Sequence, residues 1–290
     1  MSIPPQLDKA PRCAGPIVVK IGGAAGVDID TVCEDIAELA RRGERAVVVN
    51  GGSRAGDTLL NMYGLERREA RLASGNIVRL TSAAVLRVLT MAWVGDVNKR
   101  VVEALLVRGV SALGLCGADG RVLLARRRPP LKINDGVRTR IERDHYAGEI
   151  THVNTRLLES LQDQGHVPVL CPPAVTEDGC LVNVDADHAA ASVAASLGTK
   201  VLVFLSNVPG LLQDPENPSS LVRQSDDVVH CMRFATGRMR YKLEATRKAL
   251  QNGVPTVHIS SSRGPRPVFA ALAGQAGTKF TPEKVNAADA

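Results

Sequence analysis

Short aliphatic runs recur along the chain, and most are followed by a segment whose apolar residues have helical spacing. The runs lie at 16–20, 45–49, 111–115, 167–171, 201–205 and 256–259. They are rich in Val, Ile and Leu, which is typical of strands buried on both faces of a parallel sheet. Alternation of such strands with helices predicts an α/β fold, a three-layer α/β/α sandwich around a mostly parallel central sheet.

Helical periodicity predicts the layers that cover this sheet. The predicted helices lie at 31–42, 54–62, 81–107, 154–164, 185–197, 237–252 and 266–273. Asp30 is the expected N-cap of the first helix, and Gly95 is expected to break the long third one. Aromatic residues make up only 3% of the chain, so Val, Leu, Ile and Ala must fill the core.

The region between Arg121 and Ile150 departs from this pattern. Short β-like runs alternate there with Pro129–Pro130 and with Asn134–Gly136. An Asp-Gly pair between two β-like runs is a strong signal for a tight hairpin turn. We therefore predict an antiparallel β-hairpin flap inserted into the α/β order.

Bulk features restrict the location and the partners of the chain. The formal net charge of its 290 residues is +6, which suits an acidic ligand, an acidic protein or nucleic acid without separating them. No apolar run is long enough to cross a bilayer, and residues 1–15 lack the apolar stretch of a secretory signal. The six cysteines are scattered without a C-x-x-C pair, which predicts buried, reduced thiols. A cytoplasmic protein without membrane contact is expected.

Glycine pairs follow the first two predicted strands, at Gly22–Gly23 and Gly51–Gly52. Ligands of parallel sheets bind beyond the carboxyl ends of the strands, where glycine lets backbone N–H groups approach an anion. A tight turn between strand and helix explains one such pair equally well. The chain has no P-loop motif and none of the protein-kinase motifs, so a phosphate site must be of another kind.

Three charged residues lie near ends of predicted elements. Lys20 ends the first strand, where a buried lysine is costly unless an anion meets it. Lys242 lies in the first turns of the helix at 237–252, and helix N-termini attract phosphate. Asp187 lies at the start of another helix, where a carboxylate also has a purely structural explanation. Only the combination of the three residues favours a phosphate site.

Five motifs occur in order along residues 17–280: K-I-G-G, a second glycine pair, N-x-D-A-D, S-N-V-P-G-L and G-R-M-x-x-K. As an ordered set they resemble the acetylglutamate kinase branch of the amino acid kinase family. A narrower set looks like the aminoadipate kinases of lysine biosynthesis, whose substrate is attached by its amino group to a small acidic carrier protein. Its members are Ser53, Arg79–Thr81, Gly95–Arg100, Leu113–Gly120 and Gly237–Met239.

The resemblance implies a phosphotransferase that uses ATP and Mg²⁺ and whose acceptor is a side-chain carboxylate. Its implied catalytic residues are Lys20, Asp187 and Lys242: the lysines neutralise the transferring phosphoryl group, and the aspartate positions them. The implied acceptor contacts are Gly51, Gly52, Ser53, Arg79 and Asn183. The implied nucleotide contacts are Gly22, Gly23, Ser206, Asn207, Gly210, Leu211, Gly237 and Met239. An ionised carboxylate is already a nucleophile, so positioning and charge stabilisation suffice for this chemistry, and no protein ligand to a metal is expected.

The resemblance also implies how the chain is organised. Residues 16–172 would form an N-terminal lobe that binds the carboxylate substrate and forms a homodimer through the helix region at 81–94. Residues 173–281 would form a C-terminal lobe that binds ATP, and 1–15 and 282–290 would be flexible tails. Two residues depart from the family pattern: Asn50 stands where many relatives have His, and Ser82 where the lysine-pathway group often has Asp. Both departures bear on the identity of the substrate more than on the chemistry.

Basic residues are concentrated in the predicted flap, at Arg126, Arg127, Arg128, Lys132, Arg138, Arg140 and Arg143. A solvated charged surface explains them, and so does the docking of an acidic carrier protein with electrostatic steering. Nucleic-acid binding is disfavoured because aromatic stacking residues are nearly absent there.

Three other functions remain open on the sequence alone. A kinase of free N-acetylglutamate in arginine biosynthesis is the close rival. A carrier-linked kinase of a specialised-metabolite pathway fits the same motifs. A non-catalytic regulator that binds nucleotide or amino acid belongs to another class, and the intact Lys20, Asp187 and Lys242 speak against it.

Overall fold

The computed structural model describes residues 15–72, 77–134 and 139–283, without the side chains of 71–72, 77–79 and 134. The predicted turn at Asp135–Gly136 and the flap residue Arg138 lie outside the described residues. So do residues 1–14 and 284–290, which make up most of the predicted tails at 1–15 and 282–290.

The strands and helices alternate along most of the chain. The strands are β1 (Ile17–Ile21), β2 (Ala46–Asn50), β3 (Glu69–Leu72), β4 (Ile77–Arg79), β5 (Ala112–Cys116), β6 (Leu123–Arg127), β7 (Leu131–Asn134), β8 (Thr139–Glu142), β9 (Gly148–Val153), β10 (Val167–Cys171), β11 (Ala174–Val175), β12 (Leu181–Val182), β13 (Val201–Ser206), β14 (Gln224–Ser225), β15 (Val257–Ser261) and β16 (Thr278–Phe280). The α-helices are α1 (Ile29–Arg41), α2 (Ser53–Met62), α3 (Ala83–Thr90), α4 (Asn98–Val107), α5 (Thr155–Asp163), α6 (Ala186–Ser196), α7 (Val228–Cys231), α8 (Gly237–Gln251) and α9 (Pro267–Leu272).

The central sheet has eight strands in the order β14-β16-β15-β13-β1-β2-β10-β5. Neighbouring strands run parallel, apart from the antiparallel pair of β15 and β16. β1 lies in the middle, and its Lys20 is in register with Val49 of β2 and Phe204 of β13. The carboxyl ends of these three strands therefore meet at one edge. The predicted mostly parallel sheet is confirmed, and β16 is an addition that the sequence did not predict.

Helices cover both faces of this sheet. Val18 of β1 belongs to a core shared with α6 and α8, whereas Val19 belongs to a core shared with α1, α4 and α9. Since side chains alternate along a strand, Lys20 shares the face of Val18 and lies on the side of α6 and α8. The three-layer sandwich is thus confirmed, and it determines which helices can contact Lys20.

The inserted flap is also confirmed, but it is divided between two smaller sheets. β6 pairs antiparallel with β9 in a sheet of order β12-β11-β6-β9. β7 and β8 form the predicted hairpin and extend a sheet of order β4-β3-β7-β8. The strands β3 and β4 were not predicted, because Glu69–Leu72 and Ile77–Arg79 are too short to show a clear strand pattern.

Two helix details differ from the prediction. The N-cap of α1 is Asp28, not Asp30, since Asp28 accepts hydrogen bonds from the Thr31 backbone N–H at 3.0 Å and from its hydroxyl at 2.7 Å. Gly95 does not break the long helix. It lies in a π-helical segment, Met91–Val97, that joins α3 to α4 without interruption, and such segments are frequent at functional sites.

The bulk predictions agree with the structure except at Cys180, a free thiol that was expected to be buried and is only partly buried. Cys33, Cys116, Cys171 and Cys231 are free and buried, and burial raises the pKa of Cys33 to about 12. No helix in the described part of the chain is long and apolar enough to cross a bilayer.

The burial of His258 predicts that the stability of the protein depends on pH. This residue lies in β15 and is only 3% exposed, and burial, assisted by the charge of Lys279, lowers its pKa from 6.5 to about 4. Between these values the unfolded chain binds a proton that the folded chain does not, so the free energy of unfolding falls as pH drops from about 6.5 to about 4. For such a shift, the free energy of unfolding should fall by roughly 2 kcal/mol between pH 7 and pH 4.5. Urea unfolding at these two pH values should show no such fall in His258→Asn.

The control for this experiment is His152→Asn, since His152 is exposed on β9. Asp35, whose pKa burial raises to about 6, has the opposite pH dependence and is common to all three proteins, so it cancels in the comparison. Equal acid sensitivity of His258→Asn and the wild type would show that another group is responsible.

Candidate active site

Lys20, Asp187 and Lys242 come together on one face of the sheet. The Asp187 carboxylate lies between the two ammonium groups, with its Oδ1 2.6 Å from Lys20 Nζ and its Oδ2 3.0 Å from Lys242 Nζ. The Lys242 contact has hydrogen-bond geometry, and the shorter Lys20 contact is an ion contact. All three residues are buried, with 5% of Lys20 and 7% of each of the other two exposed. We call these three residues the charge triad.

Local structure explains why Asp187 is available for the lysines. Asp185 is the N-cap of α6, and its carboxylate accepts hydrogen bonds from the backbone N–H groups of Asp187 and His188 at 2.8 and 3.1 Å. The helix end is therefore satisfied without Asp187. This removes the purely structural explanation for Asp187, whose side chain turns to the triad instead.

The triad is an electrostatically fixed unit. Burial alone would raise the pKa of Asp187, but the charges of Lys20 and Lys242 hold that pKa well below its ordinary value. Burial lowers the pKa of Lys242, and the Asp187 charge opposes this shift. Two lysine charges and one carboxylate charge leave the triad with a net charge of +1, which favours an anionic ligand beside it.

The two glycine pairs meet next to the triad. We call Gly22, Gly23, Gly51 and Gly52 the glycine seam. A Cβ on Gly23 would lie 2.3 Å from the Gly52 nitrogen and 2.5 Å from the Ser53 nitrogen. A Cβ on Gly51 would lie 3.5 Å from Lys20 Nζ. The two loops thus touch backbone to backbone, which only glycine permits at Gly23.

Trp93 supports the seam from behind. A Cβ on Gly52 would lie 2.4 Å from Trp93 Cδ1, and the indole N–H donates to the Gly52 carbonyl at 3.2 Å. Trp93 comes from the π-helical segment and is the only tryptophan of the chain. The sequence did not indicate a role for Trp93, because a single apolar residue in a predicted helix is normally interpreted as part of the hydrophobic core. A cleft of about 580 Å³ opens on the seam and runs between α2 and the start of α4.

Of the predicted acceptor residues, Gly51, Gly52 and Ser53 lie at the seam, and Asn183 lies on a wall beside the flap. The Asn183 side-chain amide donates to Thr81 Oγ1 at 3.1 Å. Backbone hydrogen bonds from Asn183 to Tyr146 and from Tyr146 to Thr81, of 2.7 and 2.8 Å, tie this wall together. Arg79 is in β4, two residues before Thr81, and its side chain is outside the described residues. Thr81 and Tyr146 are additions that sequence reasoning did not assign to the site.

The predicted nucleotide residues lie at the end of β13 and the start of α8. Ser206 adjoins the seam, because the Gly22 N–H donates to the Leu205 carbonyl at 2.8 Å, and Asn207 follows it, exposed. Gly237 begins α8 with φ of 50°, a conformation that favours glycine, and Met239, two residues further on, is partly buried.

Gly210 and Leu211 are held more deeply. The Leu211 N–H donates to Thr278 Oγ1 at 2.9 Å, and a Cβ on Gly210 would lie 2.7 Å from the same oxygen. The Leu211 side chain is 1% exposed and belongs to the core. Only the backbone of this segment is therefore available to a nucleotide, and its predicted contact remains a prediction.

This arrangement fits the phosphate groups of a nucleotide. The seam glycines line the cleft and let the two loops touch, and the triad supplies a fixed positive charge at the edge of the seam. Fixed cations and backbone amides that need no rearrangement are what phosphoryl transfer requires. The fold and the site together define an α/β enzyme of phosphoryl transfer.

The chain belongs to the amino acid kinase family, whose sequence model matches residues 15–261. It is 38% identical over 266 residues to a LysW-aminoadipate kinase of Deinococcus radiodurans, across 91% of each chain. Identity is 36% over 263 residues to a LysW-aminoadipate kinase of Thermus thermophilus, across 89% of this chain and 98% of that one. It is 34% over 282 residues to an acetylglutamate kinase of a Synechococcus strain, across 93% and 85%.

Solved structures agree with the fold. The protein smu.665 of Streptococcus mutans superposes with a TM-score of 0.72 at 23% identity, across 92% of this chain and 99% of that one. The predicted family, the α/β fold and the enzyme class, a kinase with a carboxyl acceptor, are therefore confirmed. Membership of a kinase family implies ATP as the phosphoryl donor.

Proposed function

We propose that this kinase phosphorylates the distal carboxylate of 2-aminoadipate, or of a close glutamate-like analogue, whose amino group is linked to an acidic carrier protein. A carboxylate oxygen attacks the γ-phosphorus of ATP, the bond to the bridging oxygen breaks, and ADP leaves as an acyl phosphate forms. The relatives named as LysW-aminoadipate kinases support this acceptor. Relatives named as acetylglutamate kinases support free N-acetylglutamate as the second candidate.

The residues of the site have distinct roles in this reaction. Lys20 and Lys242 neutralise charge that develops on the transferring group, and Asp187 keeps their ammonium groups close together. The backbone N–H groups of Gly23 and Gly52 hold the phosphoryl oxygens and the acceptor carboxylate, whereas those of Gly22 and Gly51 already donate to the carbonyls of Leu205 and Ile21. Asn183 and Arg79 hold the acceptor on the wall that also carries Thr81.

Magnesium is proposed as the counter-ion of the nucleotide phosphates. The described residues contain no group of three or more His, Cys, Asp or Glu side chains that could hold a metal. Mg²⁺ in kinases takes much of its coordination from phosphate oxygens and water. The ion supplies charge neutralisation, and the Asp187 carboxylate is already held by two lysines.

The flap is the proposed docking surface for the carrier protein, because it adjoins the acceptor wall. Arg127 stacks over the Tyr146 ring at 3.8 Å, and its guanidinium donates to the carbonyls of Arg143 and His145 at 2.9 and 3.0 Å. Arg127 is thus part of the wall and is not free for docking. The exposed cations in the described part of the flap are Arg126, Arg128, Lys132, Arg140 and Arg143. Arg126 pairs with Glu149 at 3.4 Å, and Arg140 approaches Glu142 at 3.9 Å.

We propose that the chain is divided into two lobes. Residues 16–172 bind the acceptor, with Asn183 added to the acceptor wall from the other lobe, and residues 173–281 bind ATP. The strands β1 and β13 join the two lobes within one sheet. Homodimerisation through 81–94 is part of this proposal. Met91, 40% exposed on that helix region, offers an apolar contact for it, and sedimentation equilibrium showing only monomers would contradict it.

Assays with two acceptors test the proposed function. The enzyme receives ATP with either aminoadipate linked to a carrier protein or free N-acetylglutamate, and acyl phosphate is trapped with hydroxylamine and detected by mass spectrometry. We expect efficient turnover of the carrier-linked acceptor. Efficient turnover of N-acetylglutamate alone would establish the second candidate.

Charge reversal on the flap is expected to weaken only the carrier-linked reaction. In Arg126→Glu/Arg128→Glu, KM for the carrier-linked acceptor should rise about 10-fold, because the encounter with an acidic protein loses its electrostatic steering. KM for ATP should stay constant. Lys200→Glu is the control, since Lys200 is exposed just before β13, at the sheet edge opposite the site. An equal rise in KM for the carrier-linked acceptor in Lys200→Glu would show that the net charge of the protein, and not the flap, is responsible.

A further inference from the structure

Arg238 connects the two halves of the chain across the site. Its Nη1 donates a hydrogen bond of 2.8 Å to the hydroxyl of Ser53, a residue 185 positions away. The same hydroxyl donates to the Gly23 carbonyl at 2.9 Å. A serine hydroxyl has one proton to donate and lone pairs to accept with, so Ser53 links Arg238 directly to the glycine seam.

The position of Arg238 on α8 shows which part of the site this link joins to the glycine seam. Arg238 and Lys242 are four residues apart and therefore lie on the same face of the helix. Lys242 reaches Asp187 at one end of this face, and Arg238 reaches Ser53 one turn nearer the helix start. Arg240, between them in sequence, instead pairs with Glu244 at 3.6 Å. One face of α8 thus holds both the triad and the seam.

Arg238 is also a cation without a carboxylate partner. Within the part of the chain that the structure describes, no acidic side chain lies within ion-pair distance of its guanidinium. An exposed arginine whose hydrogen bond crosses between distant segments loses side-chain entropy. The hydrogen bond between Arg238 and Ser53 is therefore better explained by a role in the site than by a contribution to the stability of α8.

We propose that Arg238 and Ser53 are positioning residues that hold the glycine seam against the α8 face carrying Lys242. The inference rests on the phosphoryl transfer of the kinase family and not on the identity of the acceptor. Ser53 must be serine or threonine for this role, because Ala or Gly removes both hydrogen bonds. Transfer depends on the seam and Lys242 keeping a fixed separation, and a displacement of about 1 Å can cost roughly 10²-fold in rate.

The experiment compares Arg238→Met, Ser53→Ala and the double variant with Arg240→Met as the matched control. We expect kcat to fall at least 10-fold in both single variants, with KM for ATP changed less than threefold and an unaltered melting temperature. The double variant should be no slower than the slower single one, since both substitutions break one link. Arg238→Lys, which keeps a donor and the charge, should recover part of the rate. The acceptor is whichever of the two tested above is turned over.

Trp93 gives a readout that needs no acceptor. It is the only tryptophan, 7% exposed, and contacts Gly52, which precedes Ser53. Loosening the seam should raise acrylamide quenching of its fluorescence at least twofold in Arg238→Met and Ser53→Ala, and not in Arg240→Met. Quenching equal to the control, or kcat losses that multiply in the double variant, would overturn the proposal. The proposed acceptor can fail its own test without affecting this outcome.

Discussion

Replacing either lysine of the charge triad by alanine is expected to lower kcat by at least 10²-fold. Lys20 and Lys242 contact the same carboxylate at 2.6 and 3.0 Å, and both are buried. A preorganised charge in such a site stabilises the transition state without rearrangement, and removing one such group typically costs about 10²–10³-fold. The measurement is kcat with saturating ATP and acceptor in Lys20→Ala and Lys242→Ala.

The charges of the triad predict that these variants still fold. Removing one lysine leaves Asp187 with one ammonium group, a neutral buried pair. Asp187→Ala instead leaves two like charges buried without a partner, which is costly, so it should melt at a clearly lower temperature than either lysine variant. Arg247→Ala, an exposed substitution on the same helix, is the control. Turnover within threefold of this control in both lysine variants would contradict the catalytic assignment.

The sequence was sufficient for those parts of the site that depend on one strand and the residues after it. A buried aliphatic run fixes the strand, and in a parallel sheet its carboxyl end joins those of its neighbours. For this reason Lys20 and the two glycine pairs could be expected at one edge. β10 occupies the predicted residues, Val167–Cys171, for the same reason.

The remaining parts depend on contacts between segments far apart in the chain. Which aspartate caps α6 and which meets the lysines follows from how α8 packs, and the N-x-D-A-D motif alone does not distinguish Asp185 from Asp187. Arg127 looked like one more surface cation until its stacking on Tyr146 placed it in the acceptor wall. The bond between Arg238 and Ser53 has no local signal at all.

Gly23→Ala is expected to lower kcat by about 10²-fold while leaving the fold recognisable. The added Cβ would lie 2.3 Å from the Gly52 nitrogen, 2.5 Å from the Ser53 nitrogen and 2.7 Å from the Gly51 carbonyl carbon. These are backbone atoms, which cannot rotate away as a side chain would. The two loops must therefore separate by about 1 Å, which is enough to cost roughly 10²-fold in a positioned reaction.

Stability distinguishes this effect from general damage. Overpacking of this kind costs about 1–3 kcal/mol, which urea unfolding at pH 7 would measure. Gly95→Ala is the matched control: its Cβ meets nothing within 4 Å, and it lies in the helical segment of Trp93, where alanine is favoured over glycine. It should retain full activity and gain stability. If Gly23→Ala turned over as fast as Gly95→Ala, close backbone contact at the seam would not be what holds the phosphoryl group, and the triad alone would have to carry the transfer.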